Sequence, residues 1–222
     1  MYDLVVSDYI SQCVAFLGVF EPWLSRRVRS LGAAGDGKLL VDVGANMGYF
    51  TLIWLAANPG NRAVAFEPGG RNLQLLRKNL EQNSFAESCS VHAKACSNRT
   101  GIVSFDSGPD AQTGWGSIAV TDASRTTEVE AVTLDGQFDG SETIDLLKID
   151  TEGADFLVLQ GAEGLLRAKR VRNIYFEMNI PGLRALGSGP DDVLRFLDAV
   201  GYRYACVDAP GRPVSTWYAH PV

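Results

Sequence analysis

The stretch KLLVDVGANMGYFTLIWLA, residues 38–56, joins an apolar run to a short turn carrying Gly44 and Gly48, and the turn opens a second apolar run of helical length. A run apolar at nearly every position suits a strand covered on both faces, and such strands belong to parallel sheets. The chain repeats the unit. NRAVAFEP (61–68) reads as a second strand, and GRNLQLLRKNLEQN after it places Leu73, Leu76 and Leu80 at helical spacing with charges on the other face. CSVHAKAC (89–96), IDLLKID (144–150), VRNIYFEMN (171–179) and YRYACVD (202–208) read as the third to sixth strands, and RPVSTWYAH (212–220) as a last one joined to the sixth by the turn APG. ADFLVLQGAEGLLRA and PDDVLRFLDAVG read as helices between them. Alternation of this kind specifies a doubly wound α/β fold with a mostly parallel, seven-stranded sheet and right-handed crossovers.

The rhythm breaks between residues 101 and 130, which are rich in Gly, Ser, Thr and Asp. GIVSFD and TEVEAVTL are the strand-like parts, expected as an antiparallel pair on the sheet edge. Residues 98–142 form the insertion as a whole, a candidate lid, and residues 1–37 an N-terminal helical segment. With 222 residues and 46% hydrophobic content, the expectation is one domain over residues 1–222.

Charge narrows the partners. A net charge of −6 argues against a polyanion ligand, and SRRVR (25–29), the only dense basic cluster, reads as the solvated face of a helix. Nucleic acid and membrane are not expected partners; a small molecule is, for a monomer or homodimer. Cys13, Cys89, Cys96 and Cys206 form no C-x-x-C pair and read as reduced thiols of a cytoplasmic protein. Asp3 and Asp8 stand where a signal peptide carries basic residues, and the apolar run 14–20 is too short to span a bilayer.

Ligands of doubly wound sheets sit beyond the carboxyl ends of the strands. A dinucleotide fingerprint G-x-G-x-x-G would align Gly44, Asn46 and Tyr49, so two of its three glycines are missing and a nicotinamide oxidoreductase is disfavoured. The pattern present is D-x-G-x-N-x-G, Asp42 to Gly48, and it resembles the first motif of class I methyltransferases that use S-adenosylmethionine. GVFEPWLSRRV, LLVDVGANMGYFTL, AFEPGGRNLQLLRKNL, IDLLKIDTEGADFLVLQGAEGLL and IYFEMN together resemble the FkbM family of methyltransferases in order and spacing. That resemblance implies a Rossmann-like class I methyltransferase, with Asp42, Gly44, Asn46 and Gly48 around the methionine part of the cofactor. It implies Glu67 at the ribose, residues around Ala95, Cys96 and Ser97 at the adenine, and an N-terminal segment covering the site.

Methyl transfer from a sulfonium needs an acceptor that is positioned and deprotonated. In KIDTEG, Asp150 is the first choice for base or orienting group and Glu152 the second, with a first-turn helix position as the structural alternative for Glu152. Lys148, two residues before Asp150, shares its side of the strand and is expected to pair with one of these acids. Glu177 ends the fifth strand on the same rim as a substrate ligand. Trp115 and Ser117 in DSGPDAQTGWGSIA are available to the acceptor, unless Trp115 packs on the sheet edge. Asp150, Glu152 and Glu177 are hard oxygen ligands that suit Mg²⁺, but their spacing does not require it and no metal is assigned. His92, alternating with apolar residues, reads as structural. The expected activity is O-methylation of a small natural product, sugar or glycan; N-methylation of an amide or guanidino group and a non-catalytic cofactor-binding protein are the alternatives.

Overall fold

The first apolar run becomes β1 (Leu39–Val43), buried at all five positions, in a computed structural model that describes residues 1–4, 8–108, 113–118, 124, 126–138, 140–208 and 212–222. β2 (Arg62–Phe66) and β3 (Cys89–His92) follow it on one side and β7 (Leu146–Ile149) and β8 (Ile174–Asn179) on the other, all in parallel. β10 (Val214–Pro221) inserts antiparallel between β8 and β9 (Tyr202–Cys206), giving the seven-stranded order β3-β2-β1-β7-β8-β10-β9. The turn expected between the last two strands, residues 209–211, lies outside the described residues.

Period-2 alternation sends each strand's side chains to two cores. Leu39, Val41 and Val43 join Leu147, Ile149 and Phe176 in one of them. Into that core pack α5 (Leu134–Gln137), α6 (Asp155–Gln160), α7 (Glu163–Arg167), α8 (Ile180–Ala185) and α9 (Pro190–Ala199), through Leu134, Val158, Leu165, Leu183 and Leu197. Leu40, Ala65 and Leu146 belong to the other core, with Val28 of α2 (Pro22–Ala33), Trp54 of α3 (Tyr49–Ala57) and Leu76 and Leu80 of α4 (Gly70–Gln82). Each such buried side chain contributes about 1.5–3 kcal/mol relative to an exposed one. The arginines of SRRVR are exposed on α2, as their spacing implies. Among the described residues no helix is long and apolar enough to cross a membrane.

Three expectations need correction. CSVHAKAC is not one strand: β3 ends at His92, and Ala95–Cys96 forms β4 in a second sheet, in the order β4-β6-β5, with β5 (Gly101–Asp106) and β6 (Thr126–Val132). Ala95, Cys96 and Ser97 are buried in succession, which a strand with one solvated face does not allow. β5 and β6 do pair antiparallel, but in this separate sheet rather than on the edge of the large one. The helix expected over ADFLVLQGAEGLLRA breaks into α6 and α7 around Gly161, whose missing Cβ would lie 2.0 Å from the Ser97 carbonyl oxygen. The second sheet therefore leans on the helical layer through backbone that only glycine permits.

Gly161→Ala is expected to lower stability by roughly 2–3 kcal/mol by overpacking, read from the urea midpoint. Gly70→Ala, a helical site open on all sides, should leave stability unchanged or raise it. Equal effects of the two would show that the Gly161 contact is not needed.

Candidate active site

The turn after β1 is held from two sides. Gly44 has φ +75°, and a Cβ there would lie 1.9 Å from the Asp150 carbonyl oxygen at the end of β7. Gly48 has φ +86°, and its Cβ would meet Leu76 of α4 at 2.6 Å. Both glycines are required by neighbouring protein, which gives them a packing reason independent of any ligand. Asn46, also left-handed at φ 52°, donates its backbone N–H to Glu67 Oε2 at 2.8 Å, and Gly69 N–H donates to Oε1 at 2.8 Å. Glu67 thus ties the β1 and β2 turns together while each oxygen keeps lone-pair capacity. Burial, opposed by these two bonds, pushes it up to about 7.

A cavity of about 470 Å³ lies over these turns. Gly44, Asn46, Glu67, Ala95 and Cys96 line one part, and Lys148, Asp150, Glu152 and Glu177 another. Asp42, Gly48 and Ser97 stand apart from the lining. Asp42 is fully buried beneath the turn, accepts from Thr51 Oγ1 at 2.7 Å, and faces Lys148 Nζ at 3.3 Å. Ser97 is buried and its N–H donates to Val132 carbonyl oxygen.

Asp42 and Lys148 are register partners on β1 and β7, so their side chains share a face. Lys148 pairs with Asp150 at 3.4 Å as well, donates to the Gly44 carbonyl at 3.4 Å and lies 5.2 Å from the Phe50 ring centroid. Burial favours its neutral form, but Asp42, Asp150 and Glu21 outweigh it and hold the ammonium above the usual lysine range. The expected pairing with one acid is a pairing with two.

Glu152 is not in a helical first turn; it has φ 52° and precedes α6, whose first turn carries Asp155. Buried Asp155 accepts from Thr151 N–H and Oγ1 through Oδ2 and from Glu177 N–H through Oδ1, locking the loop after β7 to β8. Carboxylate oxygens of Asp150, Glu152 and Glu177 lie within 4.8 Å of one another. Burial and then the Asp150 charge push Glu152 up to about 8 and Glu177 up to about 10.

The insertion and the N-terminal segment complete the walls. Ser117 is buried, and its Oγ sits 3.2 and 3.1 Å from the Thr151 and Glu152 carbonyl oxygens, so it fastens the insertion to the β7 loop where it also lines the cavity. Trp115 is exposed at the cavity rim rather than packed on the sheet edge. The part of DSGPDAQTGWGSIA at residues 109–112 and 119 lies outside the described residues. Helix α1 (Tyr9–Leu17) and the link to α2 bring Tyr9, Leu17, Phe20 and Glu21 to the cavity. Glu21 and Asp155 were not singled out in the sequence. The signal for Glu21 was FEPW, an acid before a helix-starting proline, yet Glu21 makes no side-chain cap and has a left-handed backbone at φ 42°. Partial desolvation and Asp150 push it up to about 7. His92 stacks on Phe66 at 4.9 Å, outside this cavity.

An acidic residue closing on a Gly-containing turn, at the carboxyl ends of a parallel sheet with one reversed strand near its edge, is the arrangement of an S-adenosylmethionine-dependent methyltransferase. The Methyltransferase FkbM domain matches residues 42–204, and the chain belongs to that family. A FkbM methyltransferase from Methylobacillus flagellatus KT superposes with a TM-score of 0.60 at 18% identity, over 83% of this chain and 44% of that one. An O-methyltransferase from Bacillus cereus, solved in complex with SAH, gives 0.54 at 14% identity over 95% and 87%. In sequence, the tRNA wybutosine-synthesizing protein 2 homolog of Rattus norvegicus is 34% identical over 111 residues, which is 48% of this chain and 24% of that protein. Its Homo sapiens counterpart is 37% identical over 83 residues, 37% and 18%. The chain thus spans about a quarter or less of these curated relatives.

The acid cluster makes stability depend on pH. Glu177 moves from an ordinary 4.5 to about 10 on folding, so between these values the folded state binds more protons and stability falls as pH rises. Glu177→Gln removes that penalty. Its melting temperature relative to the wild type is expected to rise between about pH 5 and about pH 9, and a difference constant with pH would rule the cluster out as the cause.

Proposed function

We propose that this methyltransferase transfers a methyl group to a hydroxyl oxygen of a small natural product, sugar or glycan. The observation that carries this reading is the convergence of Asp150, Glu152 and Glu177 within 4.8 Å, in the cavity that Glu67 also lines. The residues fit the methyl donor: Glu67 offers a carboxylate with lone pairs for a ribose diol, and Gly44 and Asn46 expose backbone beside it. Ala95 and Cys96 offer an apolar wall for adenine. S-adenosylmethionine supplies a methyl group already activated by its sulfonium.

The protein's own work is to orient the acceptor and take its proton. Asp150 is the base or orienting carboxylate, held by Lys148, and Glu152 stands beside it as the second proton acceptor. Lys148 acts through Asp150 and through the Gly44 carbonyl, which makes it a positioning residue. Trp115 to Ile118 of the insertion and the residues of α1 and its link to α2 act as walls that exclude water, within one methyltransferase domain. Four unpaired cysteines accord with a reducing, cytoplasmic setting. N-methylation of an amide or guanidino group would use the same acids, since those nitrogens also need deprotonation.

The tRNA-modifying relatives favour a second reading, an RNA acceptor. Against it stands the acidic lining, which opposes an approaching phosphate backbone. Isothermal titration should show S-adenosylhomocysteine binding, weakened about tenfold or more by Glu67→Ala through loss of a charge-assisted acceptor. With a hydroxylated acceptor, Asp150→Asn should leave that binding intact and cut turnover about 10²–10⁴-fold. Methyl label entering tRNA but no hydroxylated small molecule would overturn the proposal.

A further inference from the structure

Among the described residues six carboxylates line the cavity, against two cations, Lys94 and Lys148; Asp8 caps α1 and Glu67 holds the turns, which leaves Glu21, Asp150, Glu152 and Glu177 facing the acceptor side. Both cations are already committed. Lys148 pairs with Asp42 and Asp150, and Lys94 donates to Glu130 at 2.8 Å. Among the described residues Glu177 Oε2 is shielded from solvent and has no hydrogen-bond partner. A buried carboxyl oxygen in that state calls for a polar partner from whatever occupies the cavity, and an approaching cation favours its charged, accepting form. Glu21 joins the acids from the N-terminal segment, in a left-handed backbone that nothing in its own helix cap explains.

The rim has the opposite character. Tyr9 and Leu17 of α1 and Trp115 of the insertion are 65%, 72% and 58% exposed, and all three line the cavity. Exposed large apolar groups at the rim of a cavity are surfaces for an apolar ligand body. A carbohydrate with no charge and no apolar part would use neither feature.

Resting on the reading that the acids face the acceptor, we infer that the acceptor carries a protonated amine near its methylated hydroxyl, recognised by Glu21, Glu152 and Glu177, and an apolar or aryl body that packs on Tyr9, Leu17 and Trp115. The ammonium supplies the donors that Glu177 lacks, and the body covers the rim. An anionic acceptor of the same shape is rejected by the same acids.

The test uses the full chain loaded with S-adenosylhomocysteine, whose binding also reports that each variant is folded. Tyramine, 4-ethylphenol, 3-(4-hydroxyphenyl)propionate, ethanolamine and Mg²⁺ alone are titrated separately at low salt. Tyramine is expected to bind about tenfold more tightly than the neutral phenol, with the propionate weakest, as charge-assisted hydrogen bonds require. Glu177→Gln and, independently, the rim variant Glu21→Gln should each shrink that preference. Trp115→Ala should weaken tyramine and leave ethanolamine unchanged. Equal binding of tyramine and 4-ethylphenol would overturn the inference, as would Mg²⁺ that binds alone and abolishes the tyramine preference. Product analysis with S-adenosylmethionine separates this from the proposed function: methyl on nitrogen refutes the hydroxyl reading and leaves ammonium recognition standing.

Discussion

Lys148 lies away from water, between the carboxylates of Asp42 and Asp150. Its side chain is 5% exposed, Asp42 beside it 1%, and the two are joined across neighbouring parallel strands. Burying the pair is not a net source of stability, because desolvation of both charges offsets their attraction. Removing one partner is a different matter and costs about 3–5 kcal/mol through the unpaired charge left behind. The pair therefore fixes an arrangement. It locks the ends of β1 and β7 at the level where Gly44 meets the Asp150 carbonyl, and the same ammonium reaches the Asp150 carboxylate and the Gly44 carbonyl. The Gly44 turn and the Asp150 carboxylate share one cation.

A second set of ties places the N-terminal segment over this centre. Asp3 N–H donates to Asn79 Oδ1 at 2.6 Å, and Asn79 Nδ2 donates to the Met47 carbonyl at 2.9 Å. Further along, Phe20 N–H donates to the Tyr49 hydroxyl at 3.0 Å, one residue before Glu21. Trp23 packs edge-on against Tyr175, which neighbours Lys148 in register, and Arg27 Nε donates to the Tyr175 hydroxyl. Helices α1 and α2 are thereby referenced to the same turn and the same strand that carry the chemistry. The placement of Glu21 follows from those contacts and not from its helix.

Local pattern made the large sheet legible. Strands buried on both faces leave a run that is apolar at most positions, and β1, β2, β7 and β8 each left one. Their terminal acids were legible for the same reason, since a charged residue at the end of an apolar run has to lie at the rim. What the pattern could not supply was set by tertiary contact. The division of CSVHAKAC depends on β4 finding β6, the break at Gly161 depends on the Ser97 carbonyl, and the role of Asp155 depends on β8 lying beside the loop. Asp42 shows the limit most clearly. Its place in a cofactor motif suggested a ligand contact, while its register opposite Lys148 makes it the buried counter-ion of the site.

The acids also differ in kind. Asp150 has a lysine at 3.4 Å, whereas among the described residues the Glu152 carboxylate has the Asn179 amide at 3.4 Å and Glu177 Oε2 has no partner. Crowded carboxylates without cations hold their protons, and a carboxyl that holds its proton is a donor rather than a base. A cationic group entering the cavity reverses that balance, because it favours the charged form of every acid it approaches. The base strength available for an acceptor hydroxyl is then set partly by the acceptor itself. An ammonium-bearing acceptor ionises the acids around it, while a neutral one meets acids that are still protonated. On the proposed reading, discrimination between them arises in proton transfer as well as in binding, with Glu152 and Glu177 serving both.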